Sequence, residues 1–252
     1  MSNIKSNKAL ITGGASGIGK LMGLQLLHKG LSTLVIWDIN ETLLQSTALE
    51  FKKMGYEVYI YLVDVMNTAQ VINTAALVKK EVGKIDILIN NAGIVVGKYF
   101  IDHTHEDIDK TMGINSNALM HITREFLGDM MQTKQGHIVN IASAAGMVSN
   151  PKLSVYVASK FAVIGWSDSL RLEMEKEKTN VKITTVTPFF ISTGMFEGVN
   201  SNIVPIVKPQ DAVNKIIRGI ENDRLYVRMP GIVNWVYFVK GRLPARWFDI
   251  IV

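Results

Sequence analysis

Short apolar runs alternate with amphipathic helical stretches from residue 8 almost to residue 228, and this alternation restricts the possible folds more than any other feature. Strands are expected at 8–12 (KALIT), 33–38 (TLVIWD), 58–63, 86–90, 137–142 (HIVNIA), 182–188 and, more briefly, 225–228. Helical periods fill 17–29, 41–54, 68–82, 106–132, 155–177 and 209–221. Runs such as ALI and LVIW are apolar at consecutive positions, as strands buried on both faces must be, and such strands belong to a parallel sheet covered by helices. The expectation is a single α/β domain over 1–252, doubly wound, with about seven strands. No linker, repeat or low-complexity tract divides it. Two stretches escape assignment, 189–208 and 229–252, and long irregular segments in such domains are often binding loops or lids.

Composition narrows the partners. With no cysteine the chain has no disulfide, thiolate nucleophile or thiolate metal site, which suits a reducing compartment. MSNIKSNKAL lacks the apolar run of a signal peptide, so a cytoplasmic location is expected. The net charge of +5 is local: from residue 205 onward eight basic residues face four acidic ones. Neither a stacked-aromatic RNA motif nor a recognition-helix pattern accompanies it, so no nucleic-acid partner is expected. D102-H-T-H-E-D107 has the residue types of a metal site, but it reads better as a helix start with Thr104 as N-cap and acids in the first turn. No metal is expected.

In doubly wound folds ligands lie at the carboxyl ends of the strands. The first strand runs into T12-G-G-A-S-G-I-G19, where Gly13, Gly17 and Gly19 permit tight turning and the following helix offers free N–H groups to a pyrophosphate. Glycines at a strand–helix turn can also serve packing alone. The second strand ends at Asp38, whose carboxylate suits the two ribose hydroxyls of NAD and would repel the 2′-phosphate of NADP. Later strand ends bring Asp64, N90-N-A-G93, Ser143 and Pro188 to the same edge. Beyond Ser143 lies V155-Y-V-A-S-K160, in which Tyr156 and Lys160, four apart, share one helix face. A lysine ammonium there is expected to pull the phenol from its usual value of roughly 10 towards neutrality, making Tyr156 a usable acid or base.

TGGASGIG, Asp64, NNAG, Asn115, Ser143 and YVASK, in this order, resemble the classical short-chain dehydrogenase/reductase family over about residues 7 to 221. The resemblance implies a Rossmann fold, a nicotinamide cofactor and a catalytic set of Asn115, Ser143, Tyr156 and Lys160. It places Gly13, Ser16, Gly17, Ile18, Gly19, Asp38, Asp64, Val65, Asn91, Ala92, Gly93, Tyr156, Lys160, Pro188, Ile191 and Thr193 against the cofactor. Tyr156 would exchange a proton with the substrate oxygen, Lys160 would tune it and hold the nicotinamide ribose, and Ser143 would donate to the substrate oxygen. Asn115 falls inside the 106–132 helical stretch, which it would locally disturb, and resembles the residue that anchors a water in the proton relay. The family's Pro-Gly after the sixth strand is Pro188-Phe189 here, which brings bulk near the nicotinamide.

Within the family the chain looks most like the branch acting on retinoids, hydroxysteroids and other lipophilic alcohols. Val95, Met147, Leu153, Phe189 and Met195, with Ser143 and Tyr156, are the expected substrate contacts, and Ile94, Val96, Tyr99, Phe100, Val148, Phe190 and Phe196 extend the apolar set. Two other functions stay open: an NADPH-dependent reductase of carbonyl or 3-oxoacyl-thioester substrates, and a non-catalytic NAD-sensing interaction protein. Asp38 weighs against the first, and the intact Tyr156–Lys160 pair against the second. A homodimer or homotetramer packed through 106–132 and 155–177 is implied. The tail combines Trp235, Tyr237, Phe238, Trp247 and Phe248 with Lys240, Arg242 and Arg246, and its apolar run is far shorter than the roughly 20 residues that span a bilayer. It reads as a lid or subunit contact, or as an interfacial element meeting a membrane.

Overall fold

The computed structural model describes residues 4–192 and 206–251. Seven parallel strands, β1 (Lys8–Thr12), β2 (Thr33–Asp38), β3 (Glu57–Leu62), β4 (Ile87–Asn90), β5 (Gly136–Ile141), β6 (Val181–Pro188) and β7 (Tyr226–Met229), form one sheet in the order β3-β2-β1-β4-β5-β6-β7. Each begins and ends within one residue of the sequence expectation. The order reverses between β1 and β4, and a crevice opens at the carboxyl ends of strands flanking such a reversal.

Alternate residues of each strand feed two cores, as the pleat requires. From β1 and β2, Ala9, Ile11, Leu34 and Ile36 pack with helices α1 (Gly17–His28), α2 (Glu41–Lys53) and α7 (Pro209–Glu221). Leu10, Val35 and Trp37 face the other way, onto α3 (Thr68–Glu81), α5 (Ala118–Thr133) and α6 (Ser154–Lys176). This is the doubly wound arrangement of a Rossmann fold.

The helix expected over 106–132 is interrupted. A capped segment, α4 (His105–Met112), opens with Thr104 accepting from Asp107 N while Asp107 accepts from Thr104 N, the capping box of a helix start. A five-residue π turn, Gly113–Asn117, then separates α4 from α5. Such turns insert a residue into the helical ladder and commonly mark functional positions. Here the turn carries Asn115.

A polar ladder crosses the interior under the site. Asn90 Nδ2 donates to Asn140 Oδ1 (2.8 Å) and Thr123 Oγ1 (3.0 Å), and Asn140 Nδ2 donates to Ser167 Oγ (2.9 Å). It fastens the ends of β4 and β5 to α5 and α6. Beyond β7 the chain continues through a 3₁₀ turn (Gly231–Trp235) into α8 (Val236–Arg242) and α9 (Ala245–Ile251). Val233 and Phe248 are buried there with Met147, Val148, Val163 and Ile164 in a third apolar cluster.

Near the amino-terminal end of β5, His137 is buried, with Nε2 2.7 Å from Thr184 Oγ1. The Thr184 hydroxyl donates to the Arg224 carbonyl (2.6 Å), so the imidazole donates in turn to Thr184. Burial pushes the His137 pKa from 6.5 down to about 4, with Asp223 opposing and Lys182 assisting. The unfolded chain therefore takes up a proton near 6.5 that the folded chain refuses until about 4. Stability is fully present above 6.5 and falls as pH drops through that window, by on the order of 3 kcal/mol. His137→Gln should lose this share of the acid destabilisation. Denaturant titrations at neutral and acidic pH check it: equal acid sensitivity in both proteins would contradict the assignment.

Candidate active site

The loop between β1 and α1 is shaped by close approach. Gly13 has φ +62°, and a Cβ on Gly19 would lie 2.2 Å from the Gly13 carbonyl oxygen, so no other residue fits there without moving the backbone. The loop is stitched to the one after β4: Thr12 Oγ1 accepts from Asn91 N (3.0 Å) and Ala92 N (3.1 Å), and Asn91 Nδ2 donates to the Thr12 and Gly13 carbonyls (3.0 Å each). Ser16, the N-cap of α1, makes no side-chain capping bond, and no acidic residue occupies the first turn. The positive end of the helix dipole is thus left for an anion.

Asp38 closes the far side of this loop. Its Oδ2 accepts from Ala15 N (3.0 Å) and its Oδ1 from Asn40 N (3.0 Å). Asp64, two residues past β3, turns its Oδ1 onto Met66 N (2.9 Å), and Val65 beside it is half-buried.

A cavity of about 480 Å³ runs from the glycine loop to the tyrosine. Gly13 and Ser16 to Gly19 form one end, and Asn91 to Ile94 form the side. Ile141, Ala142, Ser143, Tyr156 and Lys160 form the other end, with Pro188, Phe189 and Ile191 along the rim. Asp38, Asp64, Val65, Val95 and Leu153 stand outside these walls. Val95 and Leu153 pack instead around Tyr156, Ala145 and Val157. The placement expected of Met147 is corrected. It is fully buried beneath the C-terminal segment, and its carbonyl accepts from Lys240 Nζ at 3.1 Å. Phe189 extends the β6–β7 pairing through its N–H to the Met229 carbonyl (2.8 Å), which holds its ring at the rim. Thr193, Met195 and Phe196 lie outside the described residues.

The buried face of α6 carries Tyr156, Ser159, Lys160, Val163, Ile164 and Ser167, so the four-residue spacing directs phenol and amine inward together. Lys160 Nζ donates to the Ile141 carbonyl (3.0 Å) and lies 5.6 Å from the centroid of the Tyr156 ring. Ser143 Oγ accepts from Ala145 N (3.1 Å). The charge expectation needs correction. Burial pushes the Tyr156 phenol up to about 12, with only the hydrogen bond from Ser143 opposing, and burial pushes the Lys160 amine down to about 8. In a low-dielectric site each group resists its charged form. The ammonium donates to a carbonyl, and burial outweighs what opposes it at the phenol.

Asn115 is held on three sides. Its Oδ1 accepts from Ile94 N (2.8 Å), and its Nδ2 donates to the Ile94 carbonyl (2.9 Å) and to Ser159 Oγ (3.2 Å). Ser159 Oγ itself donates to the Tyr156 carbonyl (2.6 Å). Thr12, Ser159 and the Ile141 carbonyl are thus supporting groups that the motifs did not single out. Ser159 could have been found from its place between Tyr156 and Lys160 on the inward face. The Ile141 carbonyl has no sequence signal. The glycine cradle, the uncapped α1 terminus and a cavity leading to Ser143, Tyr156 and Lys160 together fit an extended dinucleotide.

Comparison with known proteins agrees. Residues 7–203 match the family described as short chain dehydrogenase. The mouse protein "Epidermal retinol dehydrogenase 2" is 39% identical over 249 residues, covering 97% of this chain and 80% of its own. "Estradiol 17-beta-dehydrogenase 11" of Macaca fascicularis is 35% identical over 243 residues, covering 96% and 81% respectively. Among solved structures, a short chain dehydrogenase/reductase from Burkholderia phymatum in complex with NAD superposes with a TM-score of 0.87 at 26% identity, covering 97% of this chain and 98% of that one.

Proposed function

Because the chain belongs to the short-chain dehydrogenase family, we propose that it is an NAD-dependent oxidoreductase interconverting a lipophilic alcohol, of retinoid, steroid or long-chain type, with its aldehyde or ketone. The observation that carries this reading is the meeting of Ser143, Tyr156 and Lys160 at one end of a cavity whose other end is the glycine loop. The names of the similar retinol and estradiol dehydrogenases, and the apolar Ile94, Ile141 and Phe189 in the walls, support the lipophilic substrate.

When bound, the nicotinamide supplies the acceptor for the hydride leaving the alcohol carbon. The first-turn amides of α1 would hold its pyrophosphate and Asp38 its adenine ribose, with Asp64 and Val65 beside the adenine. In the reduction direction the neutral phenol of Tyr156 gives its proton to the carbonyl oxygen as hydride reaches the carbon; in the oxidation direction Tyr156 first releases that proton to the neutral form of Lys160 and then takes the alcohol proton as the carbon gives up its hydride. Ser143, whose hydroxyl faces the phenol, turns that single donor onto the substrate oxygen as its charge changes. Lys160, with its amine held near 8 by burial, can give or take a proton near neutrality and so reset Tyr156 between turnovers. Asn115 keeps the Ile94 backbone and Ser159 in place around that pair.

Reduced nicotinamide formed on incubation with NAD and a panel of retinol, hydroxysteroids and long-chain alcohols tests the assignment. Turnover confined to carbonyl or thioester substrates with NADPH would overturn it. We also assign a dimer or tetramer through α5 and α6, which light scattering checks. Asp38→Ser is expected to lower the NAD/NADP preference at least about tenfold. Because Asp38 also binds Ala15 N, loosening of the loop should weaken both cofactors, so the ratio of their affinities is the measurement. An unmodified protein that already prefers NADP would remove Asp38 from this role.

A further inference from the structure

The C-terminal segment has two unlike faces. Towards the body, Val233 and Phe248 are buried, and Val236, Val239 and Leu243 pack partly against the same cluster. Away from it, Ile232, Trp235, Phe238 and Trp247 are 57%, 63%, 53% and 67% exposed. Four large apolar side chains, each more than half exposed within so short a stretch, form the kind of patch that marks a contact surface. Trp235 and Phe238 meet edge to face, with centroids 6.0 Å apart, so the patch is ordered rather than splayed.

Its charge says what covers it. From Arg224 to Phe248 the chain carries Arg224, Arg228, Lys240, Arg242 and Arg246 and no acidic residue. Arg242 and Arg246 are exposed, and the Arg242 guanidinium lies 4.6 Å over the Phe238 ring, so cation and aromatic project together. A two-fold contact with a second copy would set these cations against their own kind. A second exposed apolar group, Tyr99, Phe100 and Ile101 (57%, 64% and 89% exposed), follows the carboxyl end of β4 as this segment follows that of β7, with the Lys152 ammonium 5.1 Å from the Tyr99 ring. Exposed tryptophan and arginine on short helices suit the headgroup boundary of a bilayer, where the rings enter the acyl edge and the cations meet anionic lipid. We propose that the outer face of 231–248 docks the protein on an anionic lipid surface. Contact is lateral: α8 and α9 have seven residues each, and no helix among the described residues is long and apolar enough to cross a membrane.

This inference stands whatever the substrate proves to be, and its test does not use turnover. The full chain is sedimented with phosphatidylcholine vesicles, with and without phosphatidylserine, at low and high salt, while tryptophan emission is recorded. Binding to the anionic vesicles should exceed binding to the neutral ones at least about tenfold, weaken with salt and shift the emission to the blue. Trp235→Ser/Phe238→Ser/Trp247→Ser should lose that binding about tenfold or more with melting temperature and NADH affinity unchanged. If that variant destabilises the protein, Arg242→Gln/Arg246→Gln replaces it and should lower the anionic preference alone. No vesicle binding, or equal binding by both variants, overturns the proposal. So does a concentration-dependent increase in mass, without vesicle binding, that the triple variant abolishes, since that outcome assigns the face to a second copy.

Discussion

Tyr156→Phe is expected to lower kcat by at least about 100-fold while NADH affinity stays within a few-fold, because general acid–base groups contribute roughly 10² to 10⁴ to rate. The ring is 5% exposed and packs with Ala145 and Val157, and phenylalanine keeps all of that packing. Only the hydroxyl is lost, and with it the group that exchanges the proton and the partner of Ser143. Single-turnover rates and NADH fluorescence titration separate chemistry from binding. A variant retaining more than about a tenth of the rate would remove Tyr156 from the mechanism.

Lys160→Met should cost a similar factor in turnover and also weaken NADH binding, yet make the protein more stable at neutral pH. The amine is buried, with its pKa pushed from 10.5 down to about 8 by burial alone, which corresponds to a cost on the order of 3 kcal/mol for keeping it charged at pH 7. Loss of its hydrogen bond to the Ile141 carbonyl offsets roughly 1 kcal/mol of that. The sign sets the pH profile. Between 8 and 10.5 the unfolded chain holds a proton that the folded chain has released, so wild-type stability rises with pH across that interval. The advantage of Lys160→Met should therefore be largest below pH 8 and shrink above it. Paired denaturation curves at neutral and alkaline pH check this, and a variant less stable than wild type at pH 7 would show that the ammonium stabilises the site instead of straining it.

The sheet was legible because its strands are apolar at consecutive positions, a pattern that only double-sided burial explains. The interruption after α4 was not, since the helical period of 106–132 runs across the π turn, and only Asn115 hinted at a disturbance. In the site, the glycine spacing and the inward pair on α6 could be read because backbone approach and helical phase leave a trace in residue type. The lining role expected of Met147 failed for a physical reason: an apolar loop residue can face a cavity or a covering segment, and no periodicity decides between them. The Tyr156 charge state failed differently. Spacing places an ammonium near a phenol, but the balance between attraction and desolvation depends on burial, which spacing alone does not give.

The ladder of Asn90, Asn140 and Ser167 bears on how this protein can change. Each amide or hydroxyl in it answers another inside the core, so replacing one member by an apolar residue strands its neighbour at about 1 to 3 kcal/mol, whereas replacing donor and acceptor together can be nearly neutral. Mutational drift at these three positions should then be concerted. A library randomising all three together with Thr123, whose hydroxyl also accepts from Asn90, should return matched apolar sets alongside matched polar ones and few mixtures, so the positions would be inherited as a block although they lie far apart in the chain.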